Sequence, residues 1–344
     1  MPGHLSYKII TFFIVAWMSC PVFAQSRDST AGYYVSYDRQ ISGRFYFSRK
    51  FTSLLLRNRD NDFLLRYKPN TTLNMGVGAT YKWATLNLAY GFGFLNPDHG
   101  RGKTRYLDLQ FHSYGRKVTI DVLGQFYRGF YLSPKGQAAS ANEYYRRPDL
   151  RVRAAGASVQ YIFNHRRFSY RASFLQNEWQ KKSAGTFLIG VELFAGNVAA
   201  DSSLIPTAVN VTDVDIRRVR FIEFGPNAGY AYTFVYKEHF FLTGAGSLSL
   251  DVGFNTLVND TGKSRATGIN PNTLFRFSGG YNSDVWAVSM LYTSSAMRLA
   301  SRNLETGTLL RTGNVRLIFT YRFRPGKKVR EYLKVIDEAD PVNR

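Results

Sequence analysis

Between Tyr114 and Leu132 the chain reads YGRKVTIDVLGQFYRGFYL. Val118, Ile120 and Val122 share one parity, and Thr119, Asp121, Gln125 and Tyr127 the other. Side chains alternate across a strand, so such a segment has one oily face and one polar, partly charged face. The pattern recurs. Leu73, Met75, Val77, Ala79 and Tyr81 alternate with Thr72, Asn74, Gly76, Gly78 and Thr80. Leu248, Leu250, Val252 and Phe254 alternate with Ser247, Ser249, Asp251 and Gly253. Phe168, Tyr170, Ala172 and Phe174 alternate with Ser169, Arg171 and Ser173, which predicts a further strand over about 167–177.

A soluble sandwich would alternate too. Three features favour a closed barrel in lipid. The polar parity mixes Gly, Ser, Thr and Asn with charges of both signs, as a crowded wet interior would. Aromatics stand near strand ends, at Tyr81, Trp83, Tyr114, Tyr236 and Trp286, as in membrane-interface girdles. Short turns are expected at Lys82–Ala84, Gly115–Lys117, Asn164–Arg166, Lys237–His239 and Asn282–Val285, with longer stretches between them. Short periplasmic turns and longer extracellular loops are the outer-membrane arrangement, and lipid forbids open sheet edges. The expectation is therefore all-β: a closed antiparallel transmembrane β-barrel over 43–324. Three crossings between His165 and Lys237 would put turns on opposite sides. An extra strand within Ile205–Ile216 repairs the parity and gives fourteen strands; twelve is the alternative. Beyond Arg324, Val329, Tyr332, Leu333 and Ile336 recur at helical spacing in a C-terminal tail, 325–344, expected in the periplasm.

The N-terminus adds a compartment. Lys8, the apolar run Ile9–Met18 and Val22-Phe23-Ala24 before Gln25 read as a secretory signal peptide, 1–24, followed by a periplasmic segment, 25–42. Cys20 is the single cysteine, so no thiol chemistry is expected after cleavage. The net charge of +21 falls only to about +20 with that segment gone. Outside the cytoplasm, a phosphate-rich membrane surface is a more natural partner for such charge than nucleic acid. Outer-membrane lipid, lipopolysaccharide and the barrel-insertion machinery are the expected partners. Mean hydropathy is −0.25, which disfavours a helical membrane protein.

Several long blocks are distinctive: RFYFSRKFTSLLL (44–56), YKPNTTLNMGVGATYKWATLNLAYGFGFLNP (67–97), GKTRYLDLQFHSYGRK (102–117), GQFYRGFYL (124–132), RPDLRVRAAG (147–156) and FSYRASFLQNEWQKKSAGTFLIG (168–190). In these the chain resembles a Bacteroidota family described as domain of unknown function 4421, over roughly residues 30 to 324 of the mature chain. The resemblance implies an outer-membrane β-barrel and supplies no catalytic residues.

Candidate chemistry rests on the wet parity. Lys82, Asp108, His112, Asp121, Arg171, Glu192, Glu223, Asp251, Arg276, Arg316 and Arg322 are expected to line the interior. A charge facing mid-bilayer lipid would cost about 2–4 kcal/mol. Acids and bases that pair across the interior would simply fill it. A passage for small polar solutes is the functional version, and an arginine-weighted lumen favours anions. The alternative is a lipid-modifying enzyme or a surface receptor. His112-Ser113 with Asp108 is the nearest approach to a catalytic set, but two rungs separate His112 from Asp108 by about 13 Å. Asp213-Val214-Asp215 with Asp201 has too few oxygens for calcium. Gly76-Val77-Gly78 and Gly91-Phe92-Gly93 precede no helix, so phosphate-loop chemistry is not expected. No cofactor or metal is expected. VRLIFTYRF (315–323) reads as a closing strand with aromatics at alternating positions.

Overall fold

The fold is seen in a computed structural model, which describes residues 32–58, 63–82, 84–96, 99–209, 216–259, 262–299 and 306–338. The expected signal peptide with Cys20, Trp83 and Asp213-Val214-Asp215 lie outside these residues. The alternating segments become strands β1 (Tyr34–Ser36), β2 (Ile41–Asn58), β3 (Phe63–Lys68), β4 (Leu73–Tyr81), β5 (Ala84–Tyr90), β6 (Arg105–Tyr114), β7 (Val118–Leu132) and β8 (Arg146–Ile162). After helix α1 (Tyr170–Phe174) come β9 (Glu178–Gln180), β10 (Ala184–Ala199), β11 (Arg218–Tyr236), β12 (Phe240–Val258), β13 (Lys263–Asn282), β14 (Trp286–Leu299) and β15 (Thr306–Phe323). Helix α2 (Lys327–Glu338) ends the described chain, where helical spacing is expected.

Ten strands close the ring, in the order β2-β3-β7-β8-β10-β11-β12-β13-β14-β15, and β15 pairs back onto β2. Every ladder is antiparallel. The expected twelve or fourteen strands do not close it, for two reasons. The first lies in residues 163–183. The turn near His165 is followed not by a crossing strand but by an inward-folded plug. Ser169 caps α1 by accepting from the Ala172 amide at 2.9 Å, and all five helical residues are buried. Tyr170 and Phe174, four apart, bring their rings to 5.0 Å. β9 then pairs with β1. With 167–177 removed from the crossings, β10 and β11 alone separate the turns and parity holds without an extra strand. Thr207–Val209, inside the segment expected to supply that strand, is a 3-10 turn.

The second reason is a broken wall. β3 and β4 run down β2 in succession, β3 against Leu54–Asn58 and β4 against Ser42–Arg49. β3 also meets β7, at Tyr67–Leu132 and Lys68–Tyr131. β4 turns into β5, and among the described residues β6 pairs with β7 alone. Among the described residues no ladder joins β5 to β6, so the short-turn half of the wall carries a seam.

The interior has three layers. At the loop end, Leu54, Leu56, Leu65, Tyr67, Leu132, Val152, Val198 and Phe221 join Leu204 and Ile205 of the β10–β11 connection in an apolar core. That connection is held down by Arg147, which donates to the Ser202 and Ser203 carbonyls, and by the Tyr67 hydroxyl, which donates to the Leu204 carbonyl at 2.7 Å. The wet interior expected from the polar parity therefore gives way, past the β7 bulge at Gly129, to a mostly oily layer that also buries Arg147 and Asn58. Gly129 sits at φ +91, and a Cβ there would lie 2.4 Å from the Lys103 carbonyl. The middle layer is polar. The short-turn end is filled by the plug, with Tyr114, Phe168, Tyr170 and Phe174 in one buried cluster. Tyr114 therefore faces inward and is not part of a girdle, whereas Tyr236 and Trp286 face outward at that end. The outer face is a belt of exposed Leu, Val, Ile and Phe, Leu86, Phe187 and Ile269 among them.

Candidate functional site

The middle layer encloses a cavity of about 780 Å³. Its floor is the plug side, at Phe174 and Leu175, and its roof the apolar core, at Phe194. Inward residues line it, but so do the outward-facing Leu86 and Leu88 of β5 and Leu107, Leu109 and Phe111 of β6. Lining from both faces of the same strands means that the chamber opens sideways, through the seam.

Alternation positions most of the expected set here. Asp108 on β6 accepts from Lys50 Nζ at 3.0 Å, from the Tyr127 hydroxyl at 2.6 Å and from Gln125 at 3.1 Å. Asp121 on β7 bonds His112 Nδ1 at 2.6 Å, accepts from the Tyr114 hydroxyl at 3.3 Å, and forms a short ion pair with Arg276 from the opposite wall. Arg276 also lies over the Tyr114 and Tyr170 rings and reaches the Tyr170 hydroxyl at 3.4 Å. Such a crossing pair ties β13 to β7 and to the plug. His112 is thus oriented by Asp121, its neighbour across the hairpin, and not by Asp108. Glu192 accepts from Ser249 at 2.7 Å and Asn227 at 3.2 Å. Glu223 accepts from Asn270, and Asp251 from Asn272, both nearer the loop end.

Glu223 and Asp251 thus lie outside the chamber lining, and three more expected residues sit elsewhere or in other elements. Lys82 is not on a strand wall: it occupies the β4–β5 turn at φ +51, where its carbonyl accepts from Arg171 and Asn177 of the plug. Arg171 belongs to α1, not to a crossing strand, and bridges Glu178 at 3.2 Å and Asp38 at 3.0 Å. Burial holds the Glu178 carboxyl above the usual glutamate range, against the pull of Arg171. Arg322 closes the short-turn mouth, donating to the Gln176 and Ser283 carbonyls and to Asn282, over the Tyr37 ring at 4.3 Å.

Arg316 differs from all of these. It lines the chamber, rests over the Tyr46 ring at 5.7 Å, and makes no ion pair among the described residues. Alternation alone does not single out the two β2 side chains that serve the seam. Tyr46 reaches across Gly76 to donate to the Leu88 carbonyl of β5 at 3.2 Å. A Cβ at Gly76 would lie 2.5 Å from the Tyr46 ring, so only glycine leaves that path open. Lys50 reaches the Asp108 carbonyl of β6 at 2.6 Å. Both lie on the inward parity of 44–56, next to a glycine-rich β4, and that pairing is the signal in the sequence that points to them.

No curated protein matches the chain. Among solved structures it is similar to the outer membrane protease OmpT from Escherichia coli, at 11% identity and TM-score 0.41, over 86% of this chain and 100% of that one. It is similar to OmpT, an outer membrane protein of Vibrio cholerae, at 10% identity and TM-score 0.28, over 82% and 98%. It is also similar to the Pseudomonas putida toluene transporter TodX, at 7% identity and TM-score 0.23, over 81% and 89%. None of these likenesses bears on the chemistry of the chamber. The family model described as Domain of unknown function (DUF4421) matches residues 26–323, and the chain belongs to that family.

Proposed function

We propose that this protein is an outer-membrane barrel whose interior is a ligand chamber entered from the side, rather than a pore along the axis. The belt of exposed Leu, Ile, Val and Phe supports the membrane setting, because apolar surface on this scale is satisfied by hydrocarbon and not by water. The carrying observation is the position of the empty space. Among the described residues an apolar core occupies one end of the barrel and the plug the other, and the chamber's lining reaches the outer face at β5 and β6, where no ladder joins the two strands. Axial passage of polar solutes fits this arrangement poorly.

The chamber suits a single-chain amphiphile with an anionic head. Its size is that of an ordinary ligand pocket. Lys50 and Arg276 are committed to Asp108 and Asp121, so Arg316 is the cation left to receive a head group. The seam residues Leu86, Leu88, Leu107 and Leu109 would carry the tail. An inserted peptide strand fits less well. β5 and β6 already run antiparallel, so one added strand would be parallel to one of them, against the all-antiparallel habit of the wall.

The experiment is paired. In planar bilayers the purified protein stays silent; steady open conductance overturns the closed-chamber reading. Dodecanoate binding is then measured with cysteines at Leu88 and Leu109, in a chain carrying Cys20→Ser, before and after bridging by a short bis-maleimide. Bridging is expected to abolish uptake. Uptake that survives bridging overturns side entry, and Arg316→Gln is expected to weaken binding about tenfold. A second reading, a hydrolase, is favoured by the His112–Asp121 pair inside the chamber. Release of fatty acid from phospholipid that is lost in His112→Ala would establish it.

A further inference from the structure

The two rims of the outer wall differ in chemistry. At the short-turn end the outward residues are aromatic, as at Tyr236, Phe240, Trp286, Tyr321 and Phe323. At the loop end they are arginines, aligned by the ladder. Arg105 on β6 stands opposite Arg128 on β7, and Arg128 stands opposite Arg151 on β8. One rung below, Arg153 stands opposite Phe126. Arg105, Arg128, Arg151 and Arg153 surround a cleft of about 160 Å³ on the outer face, with Phe126 as its apolar side. The rows continue round the barrel. Arg151 leads through Ala199 to Arg218 and through Val258 to Lys263; Arg153 leads through Asn197 to Arg220 and through Thr256 to Arg265.

Like charges directly opposite each other in a ladder repel. Among the described residues little relieves this row. Among the described residues the one ion pair made by the four cleft arginines is Arg151 to Asp201, at 3.5 Å and largely exposed. Arg128 donates to the Pro148 carbonyl at 3.4 Å, and the Arg151 Nε is buried without a partner. Guanidinium forks in a row, facing outward at the edge of an apolar belt, match phosphate oxygens held at a membrane surface. We infer that the β6–β7–β8 arginine cleft binds the phosphate groups of an anionic membrane lipid, with the row through β11 and β13 as its continuation and Phe126 against the lipid chains. This rests on the reading that the belt lies in a membrane, but it uses neither the chamber nor the seam.

The test compares the full chain with the triple variant Arg128→Gln/Arg151→Gln/Arg153→Gln and with the same three positions changed to Lys. Each is purified in detergent and scored for retained lipid phosphorus by mass spectrometry, then offered lipopolysaccharide, phosphatidylglycerol vesicles or inorganic phosphate. Wild type is expected to retain phosphorylated lipid, the glutamine variant to retain at least about tenfold less, and the lysine variant to fall between them, because lysine keeps charge without the fork. Heat-shifted migration on gels should be unchanged throughout. Removing the repulsion should also raise the unfolding temperature of the lipid-free glutamine variant, which a merely structural role for the three arginines would lower. Equal retention by wild type and the glutamine variant overturns the inference. So does inorganic phosphate binding as tightly as lipid, which would make the cleft a soluble-anion site. A chain that stays in solution without detergent overturns the membrane reading itself, a different outcome from a membrane protein that ignores phosphate.

Discussion

The wall of β11, β12 and β13 and the wall of β4, β5 and β6 are built from the same alternating code, yet only the first is continuous. Strands β11–β13 run 19, 19 and 20 residues and are laddered almost end to end. Strands β4, β5 and β6 have 9, 7 and 10 residues, and the last two share no ladder. Backbone groups at an unladdered edge must find other partners in a low-dielectric setting. Here Tyr46 and Lys50 supply some of them from inside the barrel. The laddered wall is held by its backbone; the seam is held by side chains, which can let go. The opening of the chamber falls on the second kind of wall.

The largest effect should come from the tie that crosses from the laddered wall. Arg276→Gln leaves Asp121 buried against His112 and Tyr114 alone. Breaking one partner of a buried pair costs about 3–5 kcal/mol. Unfolding in denaturant should show that loss, and adding Asp121→Asn should recover part of it. A loss below about 1 kcal/mol would mean that the pair is not a tie at all.

Next comes backbone spacing. A Cβ at Gly190 on β10 would lie 1.9 Å from the Val159 carbonyl of β8. Gly190→Val should therefore cost about 3 kcal/mol or more through overpacking of a ladder that cannot spread. A Cβ at Gly93, beyond the end of β5, would meet nothing within 4 Å, and Gly93→Ala should be neutral in the same unfolding assay. A Gly190→Val variant as stable as Gly93→Ala would mean that the β8–β10 ladder can spread after all.

Smaller still are the seam contacts. Lys50→Met should cost about 2 kcal/mol, since the lost bonds are charge-assisted, and Tyr46→Phe about 1 kcal/mol. The sharper readout is local. Amide exchange should quicken in β5 and β6 and stay unchanged in β11–β13. Uniform quickening would place these two side chains in the global fold rather than in the seam.

Much of the laddered wall is legible in the sequence alone. Strict alternation at Leu248–Phe254 or Tyr230–Phe234 permits one reading, because one parity is wholly oily. Alternation fails to read out where pairing partners decide. Nothing local in Ala84–Tyr90 or Arg105–Tyr114 says that the two will not pair; that depends on β3 crossing to β7 above them. The loop-end core is hidden because Leu54-Leu55-Leu56 and Phe130-Tyr131-Leu132 are oily on both parities, so period alone cannot assign a face. In the plug, Phe168–Phe174 keeps perfect alternation, yet Ser169 as a cap and the Tyr170–Phe174 spacing mark a helix just as well. Arg171 reads from sequence as a charge that needs company, but the company comes from Glu178 and Asp38, which no strand register could pair with it. The arginine row needs the register itself, since Arg105, Arg128 and Arg151 are far apart in sequence and adjacent only across ladders.

The smallest expected effect separates the plug from both walls. Glu178 docks in a buried site that raises its carboxyl above the ordinary value near 4.5, even with Arg171 at 3.2 Å and Ser169 donating to it. An undocked Glu178 loses its proton near the ordinary value, while the docked one holds its proton to higher pH. Docking is therefore most favourable below the ordinary value and weakens as pH rises through the interval up to the raised one, then levels off. Amide exchange over 168–180 should show protection falling across that interval, while β11–β13 stay flat. In Glu178→Gln the slope should vanish, because no proton is left to exchange. Protection that instead grows with pH would mean that the charged pair with Arg171 outweighs the cost of burying the carboxylate, and that the plug is held by electrostatics in the same way as the Arg276 tie.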